Sequence, residues 1–335
     1  MVDGIPFLRG GRTELAGEAL RCLDGGNAPE AASLLLGDQD DWARTPPPSD
    51  AERRALLREA GEMTFRDAME RLAFGPVGTY FAHRWSDPTF LSGLALAEAH
   101  WTGPRRVFEL ACGAGHFLRE FARFAPEVAG GDVVWAKLWL ARRFVAPGAV
   151  LLCFDAAWPW PLADGAADLV FCHDAFYFLP DKPRVAREMR RVAGDGAVLV
   201  GHAHNALVDN LSAGSPMPPA GYAGLLAADQ WYDDCELTAA LVEGRAPVPS
   251  RALDGAAAVS FAAGAGTPRA VEGGLALPRP GAVLRPNPLY RDGVIAWPSD
   301  RYRTEYGALA TYPARPTGAP DAARRRELVD LPERW

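Results

Sequence analysis

Apolar residues recur along this chain with two different periods, and the change of period divides it into three stretches. In residues 1–100 the spacing is helical. "TELAGEALRCLDGG" and "NAPEAASLLLG" read as two short helices opened by polar caps, Thr13 and Asn27, and stopped by glycine. After the proline-rich connector "TPPPSD", the run "SDAERRALLREAGEMTFRDAMERLAF" opens with Ser49 and Glu52 in capping-box spacing. In "SDPTFLSGLALAEAH", Asp87 is the predicted N-cap and Pro88 the first helical residue.

From about residue 101 to 205 the period shortens. "RRVFEL", "EVAGGD", "AVLLCFD", "ADLVFCHD" and "GAVLVGHAH" read as five strands, separated by the amphipathic segments "GHFLREFARFA", "VVWAKLWLARRF" and "DKPRVAREMRRVAG". Alternation of this kind predicts parallel strands with right-handed crossovers, and hence a doubly wound, Rossmann-like α/β sheet behind a helical N-terminal region. Residues 206–335 are rich in Pro and Gly, with a helix expected at "CELTAALVEG" and a strand at "AAVSFAAG". This mixed C-terminal extension is expected to complete the sheet and cover the substrate site.

Within the middle stretch the strand ends carry the candidate chemistry. Ligands of open α/β sheets bind beyond the carboxyl ends of the strands. Glu109, Asp132 and Asp155 stand at the ends of the first three strands, each 23 residues from the next. Gly113 and Gly115 follow Glu109 in "ELACGAGHF", where bare backbone lets a turn approach a ligand closely. A dinucleotide fingerprint would place a third glycine at Leu118, and would give neither Glu109 nor Asp155 a role, which disfavours a nicotinamide-dependent oxidoreductase.

In these residues the chain resembles the class I S-adenosylmethionine-dependent methyltransferases. The resemblance runs from about 105 to 203 through "ELACGAG", "GGD" and "FDAAWPWPLADGAADLVFCHDAFYFLPDKPRVAREMRRVAGDGAVLV". It implies S-adenosylmethionine as cofactor and S-adenosylhomocysteine as product. Gly113 with the neighbouring backbone, Ala111 and Gly115 included, would then hold the methionine part, Glu109 would order the turn or meet the amino group, Asp132 would accept from the ribose hydroxyls, and Val133 would join the cofactor-binding residues. Asp155 and Ala156 would meet the adenine, and His173 would lie beside the departing methyl. The chain departs from the family pattern at His116, in place of a third glycine, and at Trp158 and Trp160 after Asp155.

His173, beside Asp174, is the expected general base, since histidine titrates near neutral pH. His204 joins them as a catalytic candidate from the fifth strand. His202 and His204, two residues apart, share a strand face and could hold a metal with His173 or Asp174; the sequence does not show three ligands converging, so no metal is expected. Tyr80, Arg84 and Tyr177 are candidates for a lid over the substrate. The alternative reading is an S-adenosylmethionine-binding protein with non-methyl chemistry or a regulatory role.

Composition narrows the partners. The chain has 335 residues, of which 49% are hydrophobic, and carries a formal charge of −7, which argues against nucleic acid and anionic membrane. Five cysteines, odd in number and never in a CxxC pair, read as reduced thiols of a cytoplasmic protein. An enclosed sheet-edge site suits a small-molecule methyl acceptor; the oligomeric state is not legible.

Overall fold

In the computed structural model, residues 1–210 and 213–335 are described. Six helices precede the first strand: α1 (Thr13–Asp24), α2 (Ala28–Leu36), α3 (Asp50–Glu59), α4 (Phe65–Arg71), α5 (Pro76–His83) and α6 (Pro88–Ala99). Asn27 caps α2 by accepting from the amide of Glu30, Ser49 and Glu52 close a reciprocal capping box on α3, and Asp87 caps α6. Thr13 does not cap α1. It is already helical, the N-cap is Arg12 without a side-chain bond, and the Arg12 side chain is turned instead to Asp38 at 3.0 Å.

Strands and helices then alternate as β1 (Arg106–Leu110), α7 (His116–Phe121), β2 (Glu127–Asp132), α8 (Trp135–Leu140), β3 (Val150–Cys153), β4 (Leu169–His173), α9 (Lys182–Ala193) and β5 (Ala197–His204). The C-terminal extension adds α10 (Pro219–Leu226), β6 (Gln230–Asp233), α11 (Asp234–Glu243), β7 (Ala258–Ala263) and α12 (Asp300–Tyr306). The seven strands form one sheet in the order β3-β2-β1-β4-β5-β7-β6. β2 with β3 and β4 with β5 pair in parallel, whereas β7 runs antiparallel to both β5 and β6. β7 falls on the predicted "AAVSFAAG"; β6 has only four residues between turn and cap signals, too few to show a period.

Two compact units divide the chain. The first comprises Met1–Ala82, Phe108–Ala163 and Pro332–Trp335. Its core buries Phe65, Phe121, Trp135 and Trp139 completely. The outer edge of β3 is paired with the N-terminal segment: Leu8 donates to the Cys153 carbonyl at 2.7 Å, and Cys153 donates to Pro6 at 3.0 Å. The last residues hold the helices, because Phe65 donates to the Arg334 carbonyl and Trp335 Nε1 to that of Ala82 at 2.8 Å.

The second unit comprises His83–Val107 and Asp164–Leu331. Its α6 is buried almost along its whole length and packs on α11 and β5, which is why its sequence is apolar all round. Asp87 at the head of α6 is fully buried, and its Oδ1 accepts from the Thr89 amide at 2.8 Å. Leu289, Tyr302 and Tyr312 form a small separate core, against which Trp297 and Tyr306 pack.

Two stability predictions follow from this packing. A Cβ at Gly131 on β2 would run into the ring of Phe154 and lie 3.1 Å from Phe108 Cζ, and buried rings give way poorly. Gly131→Ala is therefore expected to lower the unfolding free energy by about 1–3 kcal/mol in denaturant titration, and an unchanged midpoint would contradict this packing. The second concerns Asp87, whose pKa burial raises to about 6 against the opposing Arg84 guanidinium. The unfolded value is about 3.9, so the folded state binds the proton more tightly and wild type loses stability as pH rises from about 4 through 6. Because asparagine does not titrate, Asp87→Asn should gain on wild type over that window. A difference that stays flat from pH 4.5 to 7.5 would refute the shift.

Candidate functional site

In the first unit the site is a turn held from below by a carboxylate. The backbone after β1 enters the left-handed region at Ala111 (φ 54°), Gly113 (φ 53°) and Gly115 (φ 82°), the last serving as N-cap of α7. Glycine takes that conformation without strain, whereas Ala111 holds it at a cost of order 1–2 kcal/mol. Asp132 fixes the turn: Oδ2 accepts from the Gly113 amide and Oδ1 from that of Val134, both at 2.9 Å. The Cys112 amide adds a bond to the Gly131 carbonyl at 3.1 Å. Glu109 is buried at the end of β1.

Aromatic and cationic groups close on this turn. The bare side of Gly113 faces Phe81 of α5, so near that a Cβ would stand 2.8 Å from Phe81 Cζ. His116, in the third-glycine position, donates from Nε2 to the Phe81 carbonyl at 3.0 Å. Tyr80 lies beside Phe81, its ring centre 5.5 Å away. Lys137 of α8 has its Nζ 5.9 Å from the centre of the Phe81 ring and 3.2 Å from Asp40. Burial pushes the lysine pKa down, but Asp132 and Asp40 outweigh it and hold the ammonium charged. Asp155 makes a tight turn by accepting from Ala157 at 2.9 Å, and the Ala156 carbonyl accepts from Trp160 Nε1 at 3.2 Å. Val133 directs its carbonyl to Cys153 Sγ at 3.6 Å.

In the second unit, charged groups gather at the ends of β4 and β5. Asp174 (φ 55°) and His202 (φ 50°) both sit in the left-handed region, a strain that a scaffold keeps only when its surroundings over-determine it. His202 Nδ1 donates to Asp234 Oδ2 at 2.6 Å, which directs Nε2 toward Asp174 Oδ1 at 4.0 Å. Asp234 is itself fixed by the hydroxyls of Ser92 and Ser260, at 2.8 and 2.6 Å. Tyr177 donates to Asp174 Oδ1 at 2.9 Å and stacks on His204, ring centres 4.2 Å apart. His204 Nδ1 donates to Asn210 Oδ1 at 3.2 Å. Arg84 lies 3.6 Å from Asp174 Oδ2 and also bonds Thr89.

These surroundings separate the histidines. Burial lowers the His202 pKa, but Asp174 and Asp234 more than reverse that and raise it to about 9. Burial raises Asp234, yet His202 brings it down to about 2. Burial, helped by His202, keeps His204 low and neutral. His173, the expected base, is enclosed instead. Its Nε2 donates to the Thr89 carbonyl at 2.8 Å, its ring lies against Gly201, and burial lowers its pKa to about 3. The ring fits only because its partner across the parallel β4–β5 pair is a glycine.

Asp174, His204, Tyr177 and Arg84 thus assemble as a group in the second unit, and the glycine turn, Asp132 and Tyr80 in the first. The sequence reading left out Asp234, Lys137 and Phe81. Asp234 follows the cap of α11 in "YDDCEL", where an acid reads as a helix-start residue, and Phe81 reads as one aromatic among several. Among the described residues no helix is long and apolar enough to cross a membrane.

Residues 108–201 match a family described as a methyltransferase domain. The chain is 32% identical over 99 residues to the malonyl-[acyl-carrier protein] O-methyltransferase of Legionella pneumophila, covering 27% of this chain and 32% of that protein. It is 36% identical over 110 residues to the demethylmenaquinone methyltransferase of Deinococcus radiodurans, covering 32% and 46%. The chain therefore spans less than half the length of either relative. Among solved structures, an S-adenosylmethionine dependent methyltransferase from Mesorhizobium loti is similar at 16% identity over 52% of this chain and 96% of that one, with a TM-score of 0.40. The segment that carries the glycine turn and the strand-end acids is thus similar to methyltransferase domains.

Proposed function

We propose that this protein transfers a methyl group from S-adenosylmethionine to an oxygen or nitrogen of a small molecule in the cytoplasm, within a biosynthetic pathway of specialised metabolism. The observation that carries the reading is the glycine turn held by Asp132, with acids ending three successive strands of the matched segment. The donor chemistry fits the cofactor. Ribose hydroxyls and the adenine amine are donors, and carboxylates only accept. Asp132 gives two amides one bond each, and a carboxylate has about four lone-pair sites, so acceptor capacity is left for the ribose diol. Asp155 would take the adenine amine, and the Phe81 ring, whose tip meets Gly113, already has a cation, Lys137 Nζ, over it.

Bound S-adenosylmethionine supplies a sulfonium methyl: the acceptor atom bonds the methyl carbon, the C–S electron pair stays on sulfur to give S-adenosylhomocysteine, and the acceptor's proton must be taken up. The chain's part is alignment and handling of that proton. The second unit offers the groups for it. These groups are a histidine, His202, held protonated between Asp174 and Asp234, suited to stabilising an oxyanion, and a neutral one, His204, suited to taking a proton. His173, with a pKa of about 3 and Nε2 committed to Thr89, serves as a positioning residue between β4 and α6.

Calorimetry tests the cofactor assignment. S-adenosylmethionine and S-adenosylhomocysteine are expected to bind in the micromolar range and NAD not at all. Asp132→Ala should weaken S-adenosylhomocysteine by about 10- to 100-fold, the equivalent of 1–3 kcal/mol for a lost charged hydrogen-bond acceptor. Unchanged affinity in that variant would remove the ribose role, and silence of wild type toward both ligands would overturn the proposal.

A further inference from the structure

We propose that Asp174, His202 and His204 form a site for one divalent first-row transition-metal ion, ligated by Nε2 of each histidine and a carboxylate oxygen of Asp174. Three observations carry it. One ligand atom from each residue lies within 4.8 Å of the others, and His202 Nε2 stands 4.0 Å from Asp174 Oδ1. Ligands bound to one ion at about 2.1 Å lie roughly 3–3.5 Å apart, so closing the set takes side-chain movements on the order of 1 Å. All three residues belong to the same compact unit.

The second observation is orientation. A ligating histidine usually donates its other ring nitrogen to an oxygen acceptor, which fixes the tautomer and aims the lone pair at the ion. Both histidines do so here. His202 Nδ1 donates to Asp234 and His204 Nδ1 to Asn210, so Nε2 is the ligating nitrogen of each, with the ion displacing the His202 proton. Asp234 is anchored in turn by two serine hydroxyls, and Tyr177 both stacks on His204 and bonds Asp174. Each candidate ligand therefore has a supporting contact, a degree of organisation beyond that of a chance group of polar side chains.

The third observation is charge. Asp87 and Asp234 are buried and Asp174 half-buried in this unit; Arg84 is paired with Asp87 and Asp174, and the proton of His202, which an ion would replace, with Asp174 and Asp234. A cation among them is electrostatically favoured. Two imidazoles with one carboxylate suit Zn, Fe, Co or Mn rather than Mg or Ca, which prefer all-oxygen sites. Three protein ligands leave coordination positions open. This deepens the proposed reaction, on whose correctness the next step rests: an ion here would take the place of the His202 proton and engage the Nε2 lone pair of His204, lowering the pKa of a bound acceptor hydroxyl so that its proton leaves to water, and would select acceptors with two adjacent oxygens, such as a hydroxyl beside a carbonyl or a second hydroxyl, that chelate it.

The test uses the full-length protein stripped with a chelator and then titrated with Co²⁺, followed by visible absorption, and with Zn²⁺, followed by calorimetry. One equivalent should bind with the d–d bands of a low-coordinate Co²⁺ site. His204→Ala and the double variant His202→Ala/His204→Ala should weaken binding at least tenfold, and Asp234→Asn, which touches no ion, about 10- to 100-fold. Near-ultraviolet circular dichroism verifies that each variant is folded. Absence of Co²⁺ bands and Zn²⁺ heat in folded wild type overturns the site, as does undiminished binding in a folded double variant. S-adenosylhomocysteine affinity measured on the same samples separates the two readings. Its retention without metal binding sinks only the metal site, and metal binding without it sinks only the methyl-transfer reading.

Discussion

The Asp132 carboxylate is the constraint on which the glycine turn of the first unit depends. Its two oxygens take the amides of Gly113 and Val134, so a single side chain at the end of β2 sets both the turn that follows β1 and the entry into α8. Buried amides must find acceptors, and an ionised acceptor bonds more strongly than a neutral one. The left-handed residues of the turn are held by this arrangement, with Ala111 accepting a strain that glycine would not have. Lys137 compensates the buried charge, which is why an ammonium stays protonated deep in the first unit.

The second unit applies the same logic in reverse. There a histidine is the cation and carboxylates surround it. Asp234, on the first turn of α11, reaches His202 through a 2.6 Å bond and is itself pinned by Ser92 of α6 and Ser260 of β7. Residues from α6, β5, α11 and β7 thus meet at one buried charge, and the antiparallel β7 is what brings Ser260 there. A register shift between Val200 and Ala203 accompanies the left-handed His202 and turns its ring toward His204, the centres 5.2 Å apart. The C-terminal extension is therefore part of the chemistry of β5 as well as of the sheet.

Much of this was legible in the sequence because strand–helix alternation and strand-end acids are local signals. Five strands, three of the four named caps and the glycine turn could be read from spacing alone. What escaped shares a physical cause. The partner of His202 is 32 residues away, and nothing in the local pattern of "YDDCEL" separates an acid that caps a helix from one that charges a histidine. The reading of His173 as base rests on intrinsic pKa, and only the tertiary environment shows that Thr89, Gly201 and Phe171 enclose the ring. β6 was missed because four residues cannot display a period.

His116, at the first position of α7, ties this turn to the N-terminal helices. A glycine there would leave the first turn of α7 open. His116 instead binds the main chain of Phe81, whose ring then rests on Gly113, while Phe65 of α4 meets the other side of the imidazole edge-on at 6.0 Å. Trp335 holds the next residue of α5 through the Ala82 carbonyl. Gly113 and His116 are thus coupled: the bare Gly113 admits an aromatic ring, and His116 supplies the bond that keeps the ring in place. The Phe81 ring over the turn is carried by α5, a helix with a glycine at Gly78 and few side chains buried along its length, so the N-terminal helices shape the turn after β1.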